Sequence, residues 1–128
     1  MREKHLYEYA VMRVLPFVER EEFINVGIIL FCKQEKYISV LYTVDEKKLN
    51  SFSNKIDLEL IKQNLTAFKE IAEGVKNCKN PISKLDLPSR FRWLTAVRSS
   101  SIQTSRPHPG LSIDLEKTAQ RLFEELVL

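Results

Sequence analysis

Residues 6–15 (LYEYAVMRVL) set β-branched and aromatic side chains in a run without helix-capping residues, and Pro16 stops it. The pattern predicts a strand. Both of its alternating faces are largely apolar, which predicts a central strand. Arg13 falls on the face of Tyr9 and Val11. A half-buried guanidinium there needs an acidic or carbonyl partner. Residues 18–23 (VEREEF) form a charged link with room for one helical turn. Residues 24–32 (INVGIILFC) and 37–42 (YISVLY) predict two further strands around the polar turn KQEK. Four residues are too few for a parallel crossover, so these two strands form an antiparallel hairpin. Gly27 inside the first of them implies a bulge or a close backbone approach.

The hydrophobic period then changes from two to about 3.6 residues. Asp45 can start a short helix carrying Leu49 and Phe52, and Asp57 is a good N-cap for a long one. Leu58, Ile61, Leu65, Phe68, Ile71, Ala72 and Val75 fall on one stripe of that long helix, which Gly74 and residues 77–81 (NCKNP) end. Pro88 suits the first position of a short helical turn reaching Leu94. Residues 99–106 (SSSIQTSR) read as an edge strand or an ordered loop. Pro107, Pro109 and Gly110 predict a rigid turn. Asp114 can cap a last helix burying Leu115, Ala119, Leu122, Phe123 and Leu126. The expected fold is α+β: an antiparallel sheet of three or four strands, covered on one face by the long central helix and the C-terminal helix, in a single domain over residues 1–128.

Composition narrows the class. A chain of 128 residues with 44% hydrophobic side chains can bury one core without a disulfide or a metal. Cys32 and Cys78 have no metal-ligand spacing and read as reduced thiols, Cys32 as a small core residue, which favours a cytoplasmic protein. The N-terminus has no apolar stretch of the secretory kind, and the longest apolar run, 26–32, is far short of a membrane span. A net charge of +3 is too small to indicate a polyanion partner. The distribution says more. Residues 33–84 hold ten lysines and no arginine, whereas 87–113 hold four arginines, no lysine and no acid. Lysine is the default solvated cation of this chain. Arginine, a planar fork of five donors, is used where geometry matters.

Arg90, Arg92, Arg98 and Arg106 stand among Ser99, Ser100, Ser101, Gln103, Thr104 and Ser105. Guanidinium forks and hydroxyls together can cradle phosphate or carboxylate oxygens. The competing arrangement pairs these arginines inside the fold with Glu19, Glu21 and Glu22 while the hydroxyls satisfy turn backbone. No glycine-rich run precedes a Lys-Ser/Thr pair, so there is no phosphate loop. Trp93 with Phe91 could stack on a base, but large aromatics more often pack the core. The basic face a nucleic acid would need is absent, because acids alternate with the lysines of the long helix. His108, set between two prolines, is a candidate general base, against the plainer role of a surface or hydrogen-bonded imidazole. His5 reads as a terminal surface residue. Glu19, Glu22 and His108 could meet, but no metal-ligand spacing exists, and no cofactor motif is present, so neither metal nor cofactor is expected. No serine occupies a Gly-x-Ser-x-Gly elbow. Asn25, at a strand start, can organise the loop that carries the arginines.

Two blocks, YEYAVMRVLPFVEREEFINVGIILF and RFRWLTAVRSSSIQTSRPHPGL, resemble the signature segments of the family called domain of unknown function 3037. The resemblance spans nearly the whole chain, with the helical middle least distinctive. It implies a small bacterial domain with no assigned activity, whose relatives are encoded beside HipA-like kinases, and therefore a protein partner of that kind. The family pattern points to Arg13, Glu22, Asn25, Gly27, Arg90, Arg92, Trp93, Arg98, Gln103, Thr104 and His108. The leading expectation is a binding or accessory module that engages an anionic ligand or protein partner. It would use Arg90, Arg92, Arg98, Gln103, Thr104, Arg106 and His108, supported by Arg13, Glu22 and Asn25. The alternative is an enzyme acting on a phosphorylated or carboxylated small molecule, with His108 as base and the arginines as anion clamp.

Overall fold

Strand β1 (His5–Val14) is the middle of an antiparallel sheet in the computed structural model, which describes residues 3–15, 22–52, 56–96 and 102–128. The chain continues through β2 (Ile24–Cys32), β3 (Tyr37–Tyr42), α1 (Glu46–Phe52) and α2 (Leu58–Glu73). A single 3₁₀ turn (Pro81–Lys84) leads to α3 (Leu87–Leu94), β4 (Ile102–Thr104), β5 (His108–Ser112) and α4 (Leu115–Leu126). Most of the charged link, with Glu19 and Glu21, lies outside the described residues. So do Arg98, Ser99, Ser100 and Ser101, and the side chain of Phe52.

The sheet has five strands, not three or four. One edge of β1 pairs with β2, and β2 with β3, as the hairpin pattern predicts. The other edge pairs with β5 along His5 to Tyr9 and with β4 along Met12 to Val14. Between these two, Ser105 keeps the ladder: its N–H donates to the Val11 carbonyl at 2.8 Å, and its hydroxyl accepts from the Val11 N–H at 2.9 Å. The expected Pro-Gly turn is therefore strand β5. It has β1 on one side only, and an edge strand can place a proline nitrogen on its open side. Gly110 is needed there because the Tyr7 ring occupies the space a Cβ would fill.

The helices cover both faces of the sheet, which corrects the one-face arrangement. α1, α2 and α3 bury Leu49, Ile61, Leu65, Phe91 and Leu94 against Ala10, Met12, Val14, Ile29 and Phe31. Phe31 and Phe91 stack with ring centroids 4.9 Å apart. α4 buries Leu115, Ala119 and Leu122 against Tyr7, Ile28, Leu30 and Cys32 on the other face. The physical reason is the strands themselves: β1 and β2 are apolar on both sides, and each side needs a cover.

A bulge sets the phase of β2. Met12 pairs with Gly27 and Arg13 with Asn25, so Val26 is an extra residue between them. Side chains alternate along a strand, and one inserted residue reverses the alternation. Ile24 and Val26 thus share the α2 face with Ile29 and Phe31. At Gly27 the neighbouring strand comes close: a Cβ would lie 2.5 Å from the Leu41 carbonyl oxygen and 2.8 Å from the Tyr42 Cβ.

Caps fix the helices. The Asp57 carboxylate accepts the Leu60 N–H at 3.1 Å, and Gly74 ends α2 in the left-handed conformation at φ 65°. Val75, expected on the buried stripe, lies beyond this stop and is 39% exposed. His5, expected at the surface, is half-buried with Nε2 3.1 Å from Glu35.

Gly27→Ala should lower stability by about 1–3 kcal/mol, because rigid backbone meets the new methyl group. Denaturant unfolding should show a lower midpoint with unchanged slope.

Candidate functional site

Among the described residues the arginine-rich stretch does not gather into one cradle, because the chain distributes it over both sides of the sheet. Arg90 and Arg92 lie on α3. The N-terminus of α3 is built by Asp86, whose carboxylate accepts the Ser89 N–H at 2.9 Å. Arg90 turns inward. Its Nη1 donates to the Leu85 carbonyl at 2.6 Å and its Nε to the Ala72 carbonyl at 3.3 Å, and its guanidinium packs beside Gly74. It closes the C-terminal end of α2 through carbonyls; Glu19 and Glu21, two of its expected partners, lie outside the described residues. Arg92 is exposed. Hydrogen bonds from the Ser89 hydroxyl and N–H hold the Asp86 carboxyl below the usual aspartate range, slight burial opposes them, and the charges of Arg92 and Arg90 add to the lowering.

β4 divides the next residues by alternation. Thr104 pairs with Met12 and faces α2; Gln103 pairs with Arg13 and shares its face. Arg106 is exposed, with its carbonyl accepting from the Ser105 hydroxyl at 3.1 Å. His108 is exposed on β5, opposite Tyr9, with the two rings 5.4 Å apart. It sits on a paired strand rather than in a proline turn. Asn25 binds the end of α4 through Nδ2, 3.0 Å from the Leu126 carbonyl, and does not organise the arginine-bearing loop. Glu22 is exposed, and Trp93 is half-buried against the core below α3.

What the fold does bring together is a polar row across three strands on the face shared with α4: Asn25 on β2, Arg13 on β1 and Gln103 on β4. Arg13 is half-buried, with its guanidinium carbon 4.1 Å from the centre of the Phe23 ring. A guanidinium stacked on a ring keeps its N–H edge directed sideways, in its own plane. Arg13 has no carboxylate partner among the described residues. Its Nε is buried without a hydrogen bond, and so is Asn25 Oδ1. Buried polar atoms left unpaired in a native fold call for a ligand, a water or strain. Farther along the same face, Tyr7, Tyr9 and His108 form an aromatic row, with Tyr7 and Tyr9 centroids 6.3 Å apart.

Phe23 and Tyr9 were invisible as site residues in the sequence. Phe23 adjoins a charged run and reads as part of a link, and the Tyr9–His108 contact exists only through the β1–β5 register. Among the described residues no group of three His, Cys, Asp or Glu side chains converges on a metal-sized site. Cys32 and Cys78 are free thiols, Cys32 buried. No helix among the described residues is long and apolar enough to cross a membrane.

Fold and site together define an α+β protein whose antiparallel sheet carries helices on both faces and, on one of them, a ring-backed arginine without a carboxylate partner among the described residues. The chain belongs to the family described as Protein of unknown function (DUF3037), whose model matches residues 9–127. Comparison with curated proteins and with solved structures found no match.

The two arginines of α3 should separate in stability measurements. Arg90→Ala should cost about 1–3 kcal/mol through two lost charge-assisted bonds. Arg92→Ala should stay within about 0.5 kcal/mol in the same denaturant assay. Because the folded Asp86 carboxyl titrates below its unfolded value, its support of α3 is complete above the unfolded pKa. That support fades as pH falls through the folded pKa. An NMR pH titration should place the Asp86 midpoint below that of an unstructured aspartate and move it upward in Ser89→Ala.

Proposed function

We propose that this protein is a binding module that captures an anionic group, a carboxylate or phosphate carried by a ligand or partner protein, at Arg13. The observation that carries the proposal is a half-buried guanidinium held on the Phe23 ring with its Nε unpaired and no acid beside it among the described residues. Buried arginines normally have a counter-charge within the fold. One that lacks it, and is preorganised by stacking, offers charge-assisted hydrogen bonds to an incoming oxyanion at little further entropic cost. Gln103 flanks Arg13 in register, so the arginine-rich segment contributes to this surface through β4. His108 and Tyr9 extend the surface along β5. A HipA-like kinase, the partner class implied by the family resemblance, is one candidate bearer of the anionic group.

An exposed His108 on an edge strand, packed on Tyr9, supports a contact role over a general base, which works from a fixed position beside a bound substrate. The enzyme alternative has no comparable observation in its favour.

Titration of the protein with inorganic phosphate or with succinate at low ionic strength should shift the Arg13 Nε–H NMR signal saturably. Arg13→Gln should weaken that binding about 10–100-fold, the worth of one charge-assisted pair, while leaving the melting temperature within a few degrees. A linear, unsaturable shift, or equal binding by Arg13→Gln, would overturn the proposal.

A further inference from the structure

On the opposite side of β4 from Arg13, α2, α3 and β4 line a half-open cavity of about 290 Å³. Ala67, Phe68 and Ile71 of α2, Trp93 of α3 and Ile102 of β4 form its apolar walls. No charged residue lines it among the described residues. Thr104 also lines it, and its Oγ1 is buried without a hydrogen-bond partner. A hydroxyl shut away from water with neither donor nor acceptor satisfied costs about 1–3 kcal/mol. A cavity of this composition takes an apolar molecule that returns the missing bond.

We infer that this cavity is a binding site for a small neutral aromatic molecule bearing one hydroxyl or N–H group, of the phenol or indole type. Size, wall chemistry and the unpaired hydroxyl each constrain the ligand. A dry cavity of about 150 Å³ already holds a benzene ring, so one substituted ring or a fused pair fits this one. The described wall residues carry no charge, so none of them would compensate the desolvation of a charged ligand. Thr104 Oγ1 can accept from, or donate to, the single polar group. Trp93 and Phe68 provide ring contacts of the edge-to-face or offset kind. Ala67 and Asn64, both exposed, border the cavity on the outer side of α2 and mark its mouth. Gln103 also lines the cavity, so the site adjoins the anion surface at β4, while Thr104 pairs with Met12 on the face opposite Arg13.

Trp93 is the only tryptophan in the chain and lines this cavity, so its fluorescence and its indole N–H NMR signal are direct reporters for it. Phenol and toluene, titrated separately, are the probes. Both should perturb Trp93 saturably, with phenol binding about fivefold or more tightly, the worth of one net hydrogen bond. Thr104→Val keeps the volume and removes the hydroxyl; it should keep toluene binding and erase the preference for phenol. Ala67→Phe, at an exposed helix position, should block both probes with an unchanged circular dichroism spectrum. Arg13→Gln should leave all of these results as they are, so failure at this cavity and failure at the anion surface are read independently. Absence of saturable change with either probe, or a phenol preference that survives Thr104→Val, would overturn the inference. If Thr104→Val does not fold, continued binding by Ala67→Phe overturns it on its own.

Discussion

Burial of β1 on both faces, together with pairing along both of its edges, is the constraint on which the rest of the structure depends. A strand with apolar side chains above and below cannot lie on a surface, so helices must arrive on each side. α1, α2 and α3 meet Ala10, Met12 and Val14; α4 covers the face to which Tyr7 contributes. The edges follow the same logic. β2 takes one, and the other is long enough to be shared by two short strands, β5 and β4, with Ser105 bridging the gap between them. The charge that Arg13 places on this strand is then held in an environment built for apolar groups, and that is why its unpaired Nε is informative.

The sheet is irregular at the same level on both sides of β1. On one side the extra residue Val26 interrupts β2 between the partners of Met12 and Arg13. On the other, β5 gives way to β4 across Ser105, next to Val11. Such irregularities re-aim side chains and relax the demand for regular pairing. Their combined effect is local: Asn25, Arg13 and Gln103 line up across three strands where a regular sheet would have continued its alternation of core residues. Asn25 also ties this row to the end of α4 through Leu126, so the helix covering one half of the face borders the polar half.

The abundance of arginine between residues 90 and 106 has a distributed cause. Arg90 closes a helix end through carbonyl groups, Arg92 adds its charge near the Asp86 cap, and Arg106 is exposed. Residues adjacent in sequence were sent to different faces by α3, β4 and β5, so no common anion cradle forms from the described ones. The guanidinium with the clearest unmet need, Arg13, stands in the first strand, and its stacking partner Phe23 belongs to a segment that reads as a polar link.

Periodicity and capping determined the helices and the β2–β3 hairpin, because both depend on interactions within a few residues: Asp57 with Leu60, Gly74 with the last turn of α2, and a four-residue turn between two apolar runs. The two-faced apolar pattern of β1 likewise determined its central position. Tertiary structure alone decided the pairing of β5, hidden by Pro109 and Gly110, since an edge strand accepts a proline that local pattern reads as a turn. It also decided the opposite placement of α2 and α4, the alignment of Asn25, Arg13 and Gln103, and the cavity beneath Thr104. All of these join segments far apart in the chain, and their geometry follows from strand register, where a single inserted residue changes which face every side chain meets.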